Sequence, residues 1–279
     1  MSKKAMDSRE VGLVIGSITG KYFFDSDDLH YGLWTDDLPV KPENLRQAQD
    51  QHSSLLLKTF PQDVKTVLDV GCGAGAVAKR LLGNGYQVEC VSPSGPLTAL
   101  ARKTLGAEVP IHETKFQEAS IEKTFDLVLF SESFQYIRPE ESIPKTTTLL
   151  RPGGYLLICD FFRYEGDERG PIRGGRRLKS FFDTMQQYPF QKLVDEDITK
   201  ETARNYDLIN DFLNQVGQPI WDLTFRYCTA NYPRTTHLAR KIFRKKIDKL
   251  ENKYFSGQRT AETFMQYKTY RLMLFQYTP

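Results

Sequence analysis

Histidine, cysteine and tryptophan are scarce in this chain: four, four and two among 279 residues. Cys72, Cys90, Cys159 and Cys228 lie far apart, without the close spacing of a metal site or a redox motif. They read as reduced thiols, the first three in or beside strands, so a cytoplasmic protein without disulfides or a bound metal is expected. No run of about 18 apolar residues exists, so no integral membrane segment is expected. Residues 1–10 lead only to a brief apolar patch at 11–15, too short for a secretory signal. Charge is nearly balanced: 38 Lys and Arg against 35 Asp and Glu leave +3, too modest to argue for nucleic acid. Neither an internal repeat nor a low-complexity segment is seen.

What the chain does have is one stretch around which the rest is organised. Residues 64–70 are a short β-branched and aliphatic run, of the length and composition of a strand buried on both faces. Gly71, Gly73 and Gly75 follow at once, residues that let the chain turn sharply and bring bare backbone against a ligand. Ala76, Val77, Leu81 and Leu82 then carry the spacing of a helix lying on a sheet. Strand, glycine turn and helix form the mononucleotide-binding half of a doubly wound fold. Gly71-x-Gly73-x-x-Ala76 also satisfies the dinucleotide pattern, a weak match alone. A nicotinamide site of that kind expects an acid at the end of the second strand, roughly 20 residues on. Here that strand, residues 87–92, ends in Ser92, and the acid is Asp69, inside the first strand.

Aliphatic-aliphatic-Asp69-x-Gly71-x-Gly73-x-Gly75 resembles the first motif of the class I S-adenosylmethionine methyltransferases. The resemblance implies S-adenosyl-L-methionine as cofactor, with Asp69 fixing the turn and the methionine end, and Gly71, Cys72, Gly73 and Gly75 forming the loop beneath it. Many members place an acid at the position of Ser92 to take the ribose hydroxyls. The tocopherol, sterol and cyclopropane-fatty-acid branches often carry a hydroxyl residue there, so Ser92 is the cofactor candidate, capping of the next helix being its plainer role. The loop after a third strand at 109–112 implies Phe116 and Gln117 beside the adenine. Residues 125–137 resemble the fourth-strand motif. Because ligands in open α/β sheets sit outside the carboxyl ends of strands, Ser131, Glu132 and Tyr136 should face the pocket. Gln135 stands where cyclopropane synthases carry a carbonate-binding acid, which argues against that chemistry. Residues 149–160 resemble the fifth-strand segment, Leu-x-Pro-Gly-Gly and an aliphatic run, with the Arg-Pro-Gly-Gly part reading as a turn and 155–159 as the strand.

Ahead of the glycine loop, Tyr22, Phe23, Phe24, His30, Tyr31 and Trp34 crowd together. Leu29 to Trp34 resembles the N-terminal lid of small-molecule methyltransferases of the tocopherol, sterol and sarcosine type. Aromatic faces would also suit a sulfonium cation, at about 0.5–2 kcal/mol per well-placed ring; plain packing on the sheet edge is the alternative. Of the histidines, His52 and His112 read as structural and His237 lies among cap helices. His30 in the lid is the first candidate for a general base, weighed evenly against a surface or capping histidine, with Tyr31 and Tyr136 as positioning hydroxyls.

Beyond Asp160, a loop, a helix at 177–187 and a sixth strand at 190–194 precede a mainly helical region with breaks near 217–219 and 231–233. Residues 269–277 alternate as a last strand beside the sixth. Residues 240–253 place Ile242, Phe243, Ile247 and Leu250 at helical spacing, with basic residues on the opposite face. That face is either merely solvated or, with Arg173, Arg176 and Arg177, a dock for an acyl carrier or an anionic substrate. The organisation expected is a helical lid (1–60), a Rossmann-like core (61–198), an inserted helical cap (199–265) and a final core strand (266–279). The α/β fold should be a seven-stranded, mostly parallel sheet with helices on both faces, in a monomer or homodimer. The function expected is methylation of a small, partly apolar acceptor at oxygen or nitrogen. Carbon methylation of a lipid, isoprenoid or carrier-bound acyl group, and S-adenosylmethionine binding without turnover, stay open; an oxidoreductase comes third.

Overall fold

A computed structural model describes residues 8–166 and 170–279. The runs rich in Val, Leu and Ile become strands: β1 (Thr66–Val70), β2 (Gln87–Val91), β3 (Ile111–His112), β4 (Phe125–Ser131), β5 (Leu150–Arg163), β6 (Arg176–Arg177), β7 (Phe190–Asp197) and β8 (Lys268–Tyr277). They form one sheet in the order β3-β2-β1-β4-β5-β8-β7, with β6 added beside the end of β5. Pairing is parallel from β3 to β5 and antiparallel on both sides of β8.

Side chains alternate across the pleat and divide the core in two. Val67, Leu127, Leu129, Leu157 and Leu272 face one side; Leu68, Val128, Phe130, Leu156 and Met273 face the other. The first side is covered by α2 (Leu45–Lys58), α3 (Ala76–Gly83), α4 (Gly95–Leu105), α7 (Thr199–Phe212) and α10 (Ala261–Tyr267), the second by α5 (Pro139–Leu149) and α6 (Leu178–Met185). Strands covered on both faces read as continuous apolar runs, as β4 and β5 do. The remaining helices, α1 (Ser8–Phe24), α8 (Gln218–Asn231) and α9 (Pro233–Tyr254), lie at the periphery. No helix among the described residues is long and apolar enough to cross a membrane.

Several local expectations are corrected. Arg151 to Gly154 is not a free turn ahead of the fifth strand but a bulge within it: β4 advances from Phe125 to Leu127 while β5 advances from Leu150 to Tyr155. Gly154 permits this, because a Cβ there would sit 2.9 Å from the Arg151 carbonyl and 3.1 Å from that of Asp126. β5 also continues to Arg163, carried by its pairing with β8. The break expected near Gly217 is absent. A π-turn, Leu213–Gly217, joins α7 to α8, its wider turn accommodating Pro219 at the start of α8. The break at 231–233 is real, α9 opening on Pro233, where its missing N–H is needed by no partner. In α9, Ile242, Phe243 and Leu250 do not point into a core: they are 64%, 49% and 36% exposed.

Candidate active site

At the end of β1 the chain turns through Gly71, Gly73 and Gly75, all with left-handed φ of 80°, 57° and 88°. A Cβ on Gly71 would lie 2.4 Å from that of Ser133, whose hydroxyl in turn donates to the Val70 carbonyl. The loop is thus pressed against the end of β4, and only glycine fits. It floors a cavity of about 480 Å³, lined by mostly apolar side chains including Leu13, Leu29, Val77, Leu97, Phe116 and Ile137.

Asp69 is the unusual group of this cavity. It is buried, its Oδ2 has no hydrogen-bond partner among the described residues, and desolvation alone pushes its pKa up to about 7. A buried carboxylate without a partner is costly, so this atom is built for a cation or donor that arrives from outside. The buried Ser131 hydroxyl at the end of β4 likewise has no partner among the described residues. Ser92 also lines the cavity; the N-cap of α4 is Ser94, whose Oγ accepts from the Leu97 N–H at 3.3 Å. Ser94 Oγ donates to Glu10 of α1 at 2.6 Å, which fastens α1 over the cavity mouth.

The segment after α1 is tied down at several points. Asp28 holds Arg80 of α3 through two charge-assisted bonds of 2.6 and 2.7 Å, so the segment is clamped to the helix that follows the glycine loop. The Gly32 peptide donates to Asn205 Oδ1 of α7 at 2.8 Å and accepts from its Nδ2 at 2.7 Å. His30 sits in the middle. Its Nδ1 is 2.9 Å from the Tyr31 carbonyl, which can only accept, and its Nε2 is 3.1 Å from Asp28 Oδ1. The Arg80 and His30 cations outweigh burial and keep Asp28 well below the usual carboxylate range. His30 Nε2 also lies 3.1 Å from the Ser53 hydroxyl, and Asp28 and Glu132 raise the His30 pKa against the pull of burial, which favours the protonated ring.

Glu132 has the opposite character. It follows β4 with φ of 54°, a left-handed conformation that is costly for a non-glycine residue. Its Oε1 accepts from the Tyr31 N–H and the Tyr270 hydroxyl, both at 2.7 Å. Its Oε2 has no hydrogen bond among the described residues, although the residue lines the cavity. His52 Nε2 lies 3.3 Å from the Tyr270 hydroxyl and 3.4 Å from Cys159 Sγ, and His52 stacks on His30 at 4.5 Å. Burial raises the pKa of Glu132 above the ordinary carboxylate value and depresses that of His52.

Of the residues singled out from sequence, His30, Asp69, Gly71, Cys72, Gly73, Ser92, Phe116, Gln117, Ser131, Glu132 and Tyr136 line this one cavity. Gly75 lies behind it, at the start of α3. Tyr31 is turned away, bonding the Tyr206 hydroxyl at 3.0 Å and stacking on Phe161. Tyr22 and Phe23 point to solvent, and Trp34 packs with Leu38 and Ala48. Sequence reasoning passed over Asp28, Arg80, Asn205 and Tyr270, whose roles depend on contacts between distant segments. It also passed over Asp160, a buried acid with pKa pushed up to about 8 by desolvation, held by the Gln135 N–H and amide. An acid inside the apolar run 155–162 was a legible signal for it.

Residues 68–158 match the family profile described as a methyltransferase domain. An uncharacterised methyltransferase of Anoxybacillus flavithermus is 30% identical over 122 residues, 42% of this chain and 57% of that protein. The chain thus spans a little over half the length of the first curated relatives it matches. Among solved structures, a geranyl diphosphate C-methyltransferase from Streptomyces coelicolor, with Mg²⁺, geranyl diphosphate and S-adenosyl-L-homocysteine bound, superposes with a TM-score of 0.66. It is 13% identical and covers 98% of this chain and 99% of its own. The [4+2]-cyclase SpnF superposes at 0.65 with 18% identity, over 96% of this chain and 93% of its own. At these identities the superpositions speak for the fold alone, and one fold carries more than one chemistry.

Proposed function

From the premise that this chain carries a methyltransferase domain of the class I, S-adenosylmethionine-dependent type, we propose that it methylates a small, partly apolar acceptor at oxygen or nitrogen. The observation that carries the reading is the pairing of two acids in one cavity, Asp69 under the glycine loop and Glu132 at the end of β4, each with one oxygen that has no hydrogen bond among the described residues.

The residues fit the cofactor. The glycine loop leaves bare backbone where a side chain would collide, the Asp69 carboxyl would meet the cationic methionine end, Ser92 would meet the ribose and Phe116 and Gln117 the adenine. When bound, S-adenosylmethionine supplies an electrophilic methyl on a sulfonium. The chain supplies alignment, a source of about 7–11 kcal/mol in intramolecular models, and a proton acceptor. Glu132 Oε2 is that acceptor: the residue lines the cavity, while Tyr31 N–H and Tyr270 hold the other oxygen still. His30, whose protonated form Asp28 and Glu132 favour, positions the Tyr31 peptide and Asp28 instead of acting as the base. Tyr136 and the apolar lining favour an acceptor with a hydrocarbon part. Domain-wise, residues 1–60 act as lid, 61–198 and 266–279 as core and 199–265 as cap, in a cytoplasmic protein whose described cysteines are all unpaired.

The test is calorimetric titration with S-adenosylmethionine, S-adenosylhomocysteine and NADH, then transfer of labelled methyl to phenols, amines and acyl carriers. Micromolar binding of the first two and none of NADH, with turnover lost in Glu132→Gln, is expected. NADH binding, or no binding of either sulfur ligand, would overturn the reading. Tight cofactor binding without transfer to any acceptor class would assign a sensor or assembly role.

A further inference from the structure

α8 and α9 form a hairpin that packs on itself through a narrow seam and contributes no buried residue to the protein. The seam is Trp221, whose Nε1 donates to Glu251 at 3.0 Å and whose ring meets Phe225 and Phe255, together with Arg240 over the Phe225 ring. Away from this seam runs a second stripe: Phe212, Val216, Ile220, Leu223 and Tyr227, exposed by 61%, 40%, 60%, 63% and 59%. The spacing of four, four, three and four residues keeps one face through the π-turn and α8. The side chains expose on the order of 600 Å² of largely apolar surface, at the upper end of what a monomeric protein leaves in one patch and of the size that is often functional.

We propose that this stripe is the interface of a homodimer, in which α8 of one copy pairs antiparallel with α8 of another across a two-fold axis between Pro219 and Ile220. The order of the stripe is the first argument. Residues equidistant from that midpoint are Phe212 with Tyr227 and Val216 with Leu223, so inversion of the helix sets large apolar residues against large apolar residues. An isologous contact requires this self-complementarity of one patch. Charge is the second. In this pairing Asp211 of one copy falls two residues along the axis from Arg226 of the other, and neither has an ion-pair partner in its own chain among the described residues. Area is the third: two such stripes together bury about 1,200 Å², the lower bound of a specific interface. A lipid surface would find its cations on α9, but α8 carries only Asp222 and Arg226, which balance.

The experiment is light scattering of the full chain across a concentration series, with cofactor affinity and circular dichroism confirming that each variant folds. A dimer is expected, weakened about tenfold or more by Leu223→Asp. Asp211→Arg should weaken it as well, and adding Arg226→Asp to Asp211→Arg should restore it. Under oxidation Ile220→Cys should cross-link to itself, whereas wild-type protein, with Cys228 toward the seam, should not. A monomer at tens of micromolar, or a dimer indifferent to both Leu223→Asp and Asp211→Arg, would overturn the proposal. So would a monomer whose binding to anionic phospholipid vesicles is lost with Leu223→Asp, which would give the stripe to a membrane.

Discussion

The sheet between β3 and β5 and the α8–α9 hairpin use similar apolar residues to opposite effect. In β4, Leu127, Val128, Leu129 and Phe130 are fully buried; in the hairpin, Ile220, Leu223, Leu238 and Ile242 are each more than half exposed. Helix periodicity records only that a face is apolar, not what covers it. In the sheet both faces are covered by helices of the same chain, and acids such as Asp69, Glu132 and Asp160 are held there against the cost of desolvation. In the hairpin nothing polar is buried, and its apolar side chains await another surface. The comparison therefore separates a region whose sequence is explained by its own fold from one that needs a partner.

Four measurements can break or sharpen that contrast. Glu132→Gln removes the proton acceptor and should lower turnover by about 10²–10⁴-fold, with cofactor affinity within a few fold in the calorimeter; unchanged turnover would return the role to another group. Leu157→Ala, in the fully buried centre of β5, should cost about 2–5 kcal/mol in denaturant unfolding. Asp69 should shape the pH dependence of the ligand-free protein. Its pKa of about 7 in the fold stands above its ordinary 3.8, so the stability it permits is complete in acid and declines as pH rises from about 4 to about 7. Asp69→Asn should flatten this part of the melting profile and weaken cofactor binding about tenfold or more. The smallest effect belongs to the hairpin: Ile242→Ala, outside the α8 stripe, should change stability by no more than about 0.5 kcal/mol.

Much of the sheet was legible because β1, β4 and β5 are apolar runs, β1 and β5 bordered by glycine and β4 by charged and hydroxyl residues, and because Asp69 and the glycines sit at fixed spacing. Glu132 was legible as a pocket residue, since strand ends open on the cleft in such sheets, but not as an acid with one tethered and one free oxygen. That depends on Tyr270, 138 residues away. His30 was legible as a lid histidine, and its raised pKa was not, because Asp28 and Glu132 act through geometry that spacing does not reveal. The bulge at Arg151 to Gly154 escaped notice because the same residues favour a free turn. The π-turn before Pro219 is decided by the continuity of α7 and α8, which composition at Gly217 and Pro219 argues against.

The position of β8 has a consequence for synthesis. This strand lies between β5 and β7, yet it is made more than a hundred residues after β5. While the ribosome is still adding the hairpin and α10, the far edges of both strands stand open, with Leu157 and Phe162 lacking the neighbours that cover them. Pairing over such a separation is slow and leaves strand edges exposed to aggregation in the interval. The nascent chain should therefore gain protease resistance in one late step, after residues 268–277 have left the exit tunnel, and arrest before that point should leave it readily digested.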